Sequence, residues 1–398
     1  MLTRIDNNSN SLAQAKDVWI TEANIASRVM RNRMCITLTK STSLPKDHGV
    51  MALLLLTGAI PLLSAIPLSL GLFAPSAKNP LIDLPGPHVT LDYGDFQGAS
   101  SGGVDSFYGI PFAEPPLGNR RLTNPIPPLG QYPNFDATGP PPACPQQSIT
   151  GGGNIFNDAI GLGADILDKL PFYAPGIGGH EDCLTLDVLV PKNTQPTDRL
   201  PVMFWIFPGD FTTGYSSLLR GNSLVEKSVQ MGQPVIFVAP NYRLNAFGFL
   251  GGREVGEAGV GNLGLKDQRL AMKWVQKYIS EFGGDPSKVT IFGESSGAIA
   301  VSYHLLINNG DNEGLFRAAI CESGSAFPVE TLSSGAGQPI YDKIVNYTGC
   351  ASSSNSLDCL RAVEYEHLFA AVNRIPGLFS SGSFPSPFSP FIDGKTTF

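Results

Sequence analysis

Apolar and polar positions switch between two periods along the second half of this chain. Short apolar runs bounded by Gly, Pro, Asn or Asp predict strands at Leu184–Val190, Val202–Phe207, Val235–Ala239, Val289–Phe292 and Ala318–Cys321. Helical patterns lie between them. The clearest begins after Gly261 and places Leu270, Met272, Trp274, Val275, Tyr278 and Ile279 at helical spacing, before Phe282-Gly-Gly-Asp-Pro286 turns the chain into the fourth strand. This alternation predicts an α/β fold with a mostly parallel central sheet and ligands at the carboxyl ends of the strands. Upstream, to about residue 143, the chain is Pro-rich and extended, compatible with an antiparallel hairpin region. The Ser/Gly tracts near 333, 352 and 380 read as loops, and no internal repeat is visible.

The amino-terminal pattern is different. Residues 1–50 are polar and mixed, with a modest helical pattern from Trp19 to Met34. From Gly49 to Ala77 there is no charged residue over 29 positions, and an apolar run starts at Met51 and ends near Ala74-Pro-Ser-Ala77. That run reads as a secretory signal peptide, with Met51 as a start and the mature chain beginning near Lys78. A membrane anchor over 51–77 is the rival reading, since the length suffices to span a bilayer; Pro61 and Pro67 weigh against it. Residues 1–50 are then an unassigned extension, or sequence translated from upstream of the true start.

Composition narrows the function. With 398 residues, 42% hydrophobic and 15% charged, the chain is long and apolar enough for one large globular domain. Of 27 Lys/Arg and 34 Asp/Glu, residues 1–50 hold seven and four, leaving 20 basic against 30 acidic residues, which makes nucleic acid an unsuitable partner. No Cys-x-x-Cys pair, His-x-x-x-His pair or dinucleotide fingerprint is present, so no metal or other cofactor is called for.

Val289-Thr-Ile-Phe-Gly-Glu-Ser-Ser-Gly297 carries the chemistry, as an apolar strand running directly into Gly-x-Ser-x-Gly with Ser295 at its tip. A nucleophile on a tight strand-to-helix turn is lifted clear of the sheet, and its flanks, Gly293 and Gly297, must be small where backbones crowd. The following helix N-terminus favours developing negative charge. Together with Tyr108-Gly-Ile-Pro-Phe-Ala-Glu-Pro-Pro116, Glu181-Asp-Cys-Leu-Thr-Leu-Asp187 and Asn241-Tyr-Arg-Leu-Asn-Ala-Phe-Gly-Phe249, this stretch resembles the type-B carboxylesterases, the family of cholinesterases and Candida rugosa-type fungal lipases. The resemblance covers about residues 80–398 and implies an α/β-hydrolase fold within 78–398.

The resemblance also implies roles. It makes Ser295 the nucleophile of a secreted serine ester hydrolase acting on small-molecule or lipid esters. Its triple-glycine oxyanion loop corresponds to Phe207-Pro-Gly-Asp-Phe211, so the donors are the N–H groups of Gly209 and Asp210, with Ser296 after the nucleophile. A carboxylate at Asp210 about 5 Å from an oxyanion would oppose it by about 3 kcal/mol at an effective dielectric of about 20; the side chain is therefore expected to point into water. Glu294 matches the family's acidic neighbour of the serine. The resemblance pairs Cys144 with Cys183 and Cys350 with Cys359; Cys321 reads as a buried free thiol and Cys35 falls in the removed part. In the lipase branch the 144–183 loop is a flap that meets lipid. Its apolar residues between Asn154 and Leu170 and the glycines at 151–153 and 176–179 suit that role or a packed surface helix.

Two features depart from the pattern. The triad order is Ser, acid, His, yet only His304 and His367 follow Ser295, and both read as packing or surface residues. Phe388-Ser-Pro-Phe-Ile-Asp-Gly394 resembles the family segment just before its catalytic glutamate, so the acid and base, and the C-terminal part of the fold, are expected beyond residue 398. A catalytically silent, adhesion-type relative is the alternative. If the protein is exported, Asn346 of Asn346-Tyr-Thr348 is the glycan acceptor after residue 77.

Overall fold

Strand-forming runs and helical stretches assemble around one eight-stranded sheet, ordered β1-β11-β10-β8-β9-β7-β5-β4. The computed structural model describes residues 2–4, 86–147, 179–219, 221–332, 335, 337–377 and 386–394. The strands of the sheet are β1 (Leu2–Arg4), β4 (Ala99–Ser101), β5 (Val104–Pro111), β7 (Thr185–Pro191), β8 (Leu200–Ile206), β9 (Ile236–Pro240), β10 (Gly284–Glu294) and β11 (Ala318–Glu322). The five strands read from the sequence are β7 to β11. β10 starts earlier than expected, because Gly284 already pairs with Leu200 before an irregularity that ends at Val289.

The sheet has a parallel centre and an antiparallel flank. β9, β8, β10 and β11 run parallel, because helices carry the chain back between them: α1 (Gly221–Gln230) between β8 and β9; α2 (Asn245–Phe249), α3 (Arg253–Ala258) and α4 (Leu263–Tyr278) before β10; and α5 (Ser296–His304) before β11. Hairpin-connected β4 and β5, then β7, are antiparallel. β1 pairs antiparallel with the outer edge of β11. The expected N-terminal hairpin also appears as β2 (His88–Leu91) against β3 (Gly94–Gln97), with β6 (Tyr132–Asp136) completing a small three-stranded sheet. Further along are α6 (Gly337–Tyr347), α7 (Ser356–Ala362) and α8 (Tyr365–Val372).

Burial explains why the central strands read as continuous apolar runs. Every residue of β7 and β9 is buried, as are the last five of β8, the pattern of strands covered on both faces. Trp205 and Phe292 pack with ring centroids 4.8 Å apart across the β8–β10 pair. Two buried ion pairs fix the loops above this core. Arg243 Nη2 meets Asp267 Oδ1 at 2.7 Å, and Arg121 Nη2 meets Glu181 Oε2 at 2.7 Å. Arg121 also donates to the carbonyls of Leu360, Arg361 and Val363, which joins the two disulfide regions. The disulfides are those expected, Cys144–Cys183 and Cys350–Cys359.

The run at 51–77, the helical pattern at Trp19–Met34, Cys35 and residues 148–178 of the Cys144–Cys183 loop, with the glycines at 151–153 and 176–178, lie outside the described residues. No helix among the described residues is long and apolar enough to cross a membrane, and none of their His, Cys, Asp and Glu groups could hold a metal ion.

Candidate active site

The turn between β10 and α5 carries Ser295 with φ 54° and ψ −123°, a conformation that costs a non-glycine residue about 1–3 kcal/mol. The surroundings enforce it. Ser295 donates its N–H to the Glu322 carbonyl of β11 at 2.9 Å. A Cβ on Gly297 would run into the Ile206 carbonyl, and one on Gly293 would strike the Gly297 backbone, so both flanking glycines answer to close approach. Ser295 stays half-exposed while Ser296 and Gly297 are buried. The first intrahelical bond runs from Ile299 N–H to the Ser295 carbonyl, which leaves the first-turn N–H groups of α5, Ser296 foremost, at the elbow.

Gly293 of β10 stands opposite Ile206 of β8, so the loop leaving β8 starts beside the elbow. Residues Phe207–Gly214 fold back on themselves, with the N–H groups of Thr212 and Thr213 both reaching the Gly209 carbonyl at 3.0 Å. Gly209 has φ 130°, and a Cβ there would collide with the Thr213 carbonyl. Asp210 and Phe211 follow at φ 56° and 58°, each at a cost of about 1–2 kcal/mol for a side chain in the left-handed region. Among the described residues no acceptor meets the N–H of Gly209 or Asp210. Two successive free N–H groups beside a strained serine can receive an oxyanion.

Much of the support for this loop comes from the 241–249 motif. Tyr242 donates its hydroxyl to the Phe207 carbonyl at 3.0 Å and stacks on the Phe207 ring at 4.2 Å. Asn245 gives its backbone N–H to the Phe211 carbonyl and its side-chain amide to the Pro145 carbonyl, each at 2.7 Å. The residues after Cys144 add Gln146, whose amide meets both N–H and C=O of Gly214, and Gln147, whose N–H meets the Thr212 carbonyl. Gln146 and Gln147 carry no sequence signal, because their partners lie far along the chain; Asn245 sat inside a motif whose purpose is visible only once folded.

Asp210 departs from expectation. Its carboxyl is not directed into water: Oδ2 accepts from Ser386 Oγ at 2.7 Å, and burial pushes its pKa up to about 6 against the opposing pull of that hydrogen bond. The cause is a strap, residues 386–391, that crosses from far along the chain with Phe388 fully buried. Glu294, next to the serine, is half-buried, and burial raises its pKa.

The histidines are committed elsewhere. His304 is fully buried at the end of α5, with Nε2 2.9 Å from Gln268 Oε1; burial and the charge of Arg269 push its pKa down to about 3. His367 is exposed, with Nε2 3.2 Å from the Tyr347 carbonyl oxygen. Cys321 is free but only half-buried on β11, rather than enclosed as its apolar strand suggested, and burial raises its pKa. Asn346 is exposed on α6.

A sequence profile of the carboxylesterase family matches residues 85–398. The chain is 44% identical over 313 residues to a secreted triacylglycerol lipase of Gibberella zeae, covering 77% of this chain and 52% of that protein. It is 43% identical to lipase 5 of Diutina rugosa, covering 77% and 57%. Among solved structures, a thermophilic PNB esterase is 34% identical with a TM-score of 0.63, covering 78% of this chain and 58% of that one. The chain thus spans a little over half the length of these relatives. With the elbow, the loop beside it and the two disulfides on an α/β-hydrolase sheet, this chain belongs to the carboxylesterase family.

Proposed function

We propose that the protein is a secreted serine ester hydrolase of the carboxylesterase and lipase type. Ser295 Oγ attacks the ester carbonyl carbon while its proton passes to a general base. The carbonyl oxygen gathers charge facing the N–H groups of Gly209, Asp210 and Ser296. The C–O bond to the alcohol then breaks, the alcohol takes the proton, and water releases the acyl group from Ser295 by the same steps. The single observation that supports this reading most is the backbone of Ser295, a costly φ/ψ pair kept on a serine where β10 meets α5.

The base is proposed to come from outside residues 1–398, since His304 and His367 are held by other partners. The names of the relatives, lipases and secreted lipases, support an ester substrate and export. Contact with lipid through the 144–183 loop belongs to the same reading. A silent binding protein is the second reading, favoured by one observation, the largely buried Asp210 carboxyl on the donor loop. A fluorophosphonate probe on the complete protein separates the two: labelling that Ser295→Ala abolishes supports the hydrolase, and no labelling of a folded protein supports the binder. Removal of the 51–77 run on export is checked by sequencing the N-terminus of secreted protein, expected near Lys78 and refuted by Met1.

A further inference from the structure

Two adjacent side-chain-bearing residues of the donor loop, Asp210 and Phe211, sit in the left-handed region, and each needs something to keep it there. Phe211 has packing: its side chain is buried, its ring lies 4.8 Å from that of Phe249, and its carbonyl takes the Asn245 N–H. Asp210 has no such ring contact. Among the described residues its side chain makes one hydrogen bond, to Ser386.

Ser386 is well placed to resist movement, because the strap it belongs to is anchored along its length. Phe388 is fully buried. The Asn262 side chain clamps Phe391 by both backbone groups, at 2.7 and 2.8 Å. The Phe391 ring lies over Gly251 and Gly337, where a Cβ would touch it. Ile392 exchanges backbone bonds with the 330–332 segment, donating to the Glu330 carbonyl and accepting from Leu332. Two residues before the buried Phe388, Ser386 meets the donor loop at Asp210.

We propose that Ser386 is a positioning residue for ester hydrolysis: its hydroxyl, by donating to the Asp210 carboxyl, latches the Phe207–Gly214 loop to the 386–391 strap and holds the Gly209 and Asp210 N–H groups where the oxyanion forms. This rests on reading that loop as the oxyanion site. The same bond fixes where the carboxyl points, so one contact governs both the donors and the charge that opposes them. The latch differs from the other supports of the loop described above, which act on Phe207, Phe211, Thr212 and Gly214 through the 241–249 motif, Gln146 and Gln147.

Ser386 is half-exposed, so Ser386→Ala should fold with a nearly unchanged Tm. Hydrogen exchange at the Thr212 and Thr213 amides, which close the loop on the Gly209 carbonyl, should accelerate about tenfold in that variant. In the complete protein, kcat on a p-nitrophenyl ester should fall about three- to tenfold with KM within about twofold, from loss of one hydrogen bond to an ionisable group. Ser386→Thr, which keeps the hydroxyl, should restore both readouts. In an Asp210→Gly background, Ser386→Ala should have no further effect on exchange or kcat. Unchanged exchange in Ser386→Ala, or an equal loss in both backgrounds, overturns the latch. If exchange accelerates as described but the complete protein is never labelled or active, the latch stands as a property of the loop and the hydrolase reading falls.

Discussion

Replacing Asp210 by Asn tests the electrostatics of the Phe207–Gly214 loop directly. Asn keeps an oxygen to accept from Ser386 and tolerates the left-handed backbone that Asp210 adopts at φ 56°. What it removes is the charge. The Asp210 carboxyl rises from its ordinary 3.8 to about 6, chiefly because burial disfavours the ionised form. A folded-state pKa above the unfolded one means that the native protein holds its proton longer, so stability is lost as pH climbs from about 4 through about 6. At about 1.4 kcal/mol per pH unit the full loss is about 3 kcal/mol. Asp210 still reaches solvent in part, and screening reduces the expected difference to about 1–2 kcal/mol. Urea unfolding of both proteins at pH 4, 6 and 7.5 reads this out. Asp210→Asn should match the parent at pH 4 and exceed it by about 1–2 kcal/mol at pH 7.5, with equal m-values. A difference that is flat across that range, or that shrinks with rising pH, would refute the burial of the charge.

Two further predictions concern the frame. Gly297→Ala should abolish fluorophosphonate labelling of the complete protein and cost about 3 kcal/mol or more, because its Cβ has nowhere to go but the Ile206 carbonyl; labelling at the parent rate in a folded variant would contradict the elbow packing. Opening Cys144–Cys183, with a sequence separation of 39, should cost about 4 kcal/mol, and opening Cys350–Cys359, with a separation of nine, about 2.6 kcal/mol by loop entropy. Double Cys→Ser variants compared in denaturant check the order, and a reversed order would mean that native contacts, not loop length, decide it.

The parts legible from the sequence are those whose physics is local. β7 to β9 announced themselves because burial on both faces demands unbroken apolar runs, and the elbow did so because close packing admits only glycine at 293 and 297. The antiparallel flank was only partly visible, since hairpin strands as short as Ala99–Ser101 leave too few positions for a period. The surroundings of Asp210 were not visible at all. Its position in the loop follows from spacing, but its environment depends on Ser386, 176 residues away, and no local pattern reports a contact of that range. The same applies to Gln146, whose amide serves Gly214 across 68 residues.

The base is the remaining question, and His304 decides it. His304 lies at the far end of α5, about 13 Å along the helix axis from Ser295 at 1.5 Å per residue. Its ring is fully buried and meets Gln268, and burial together with the Arg269 charge pushes its pKa down to about 3. A base at about 3 instead of the ordinary 6.5 gives up about 5 kcal/mol of proton affinity at about 1.4 kcal/mol per pH unit, too much for a group that must take the serine proton near neutrality. Under the proposed mechanism, residues 1–398 alone should therefore hydrolyse a p-nitrophenyl ester within about tenfold of their Ser295→Ala variant, the level that the proposed oxyanion site would leave without a base. His304→Gln should leave that rate unchanged and cost about 1–3 kcal/mol of stability, by disturbing a buried polar pair. Fast turnover by residues 1–398, lost in both Ser295→Ala and His304→Gln, would make His304 the base and refute the separation of the two side chains along α5.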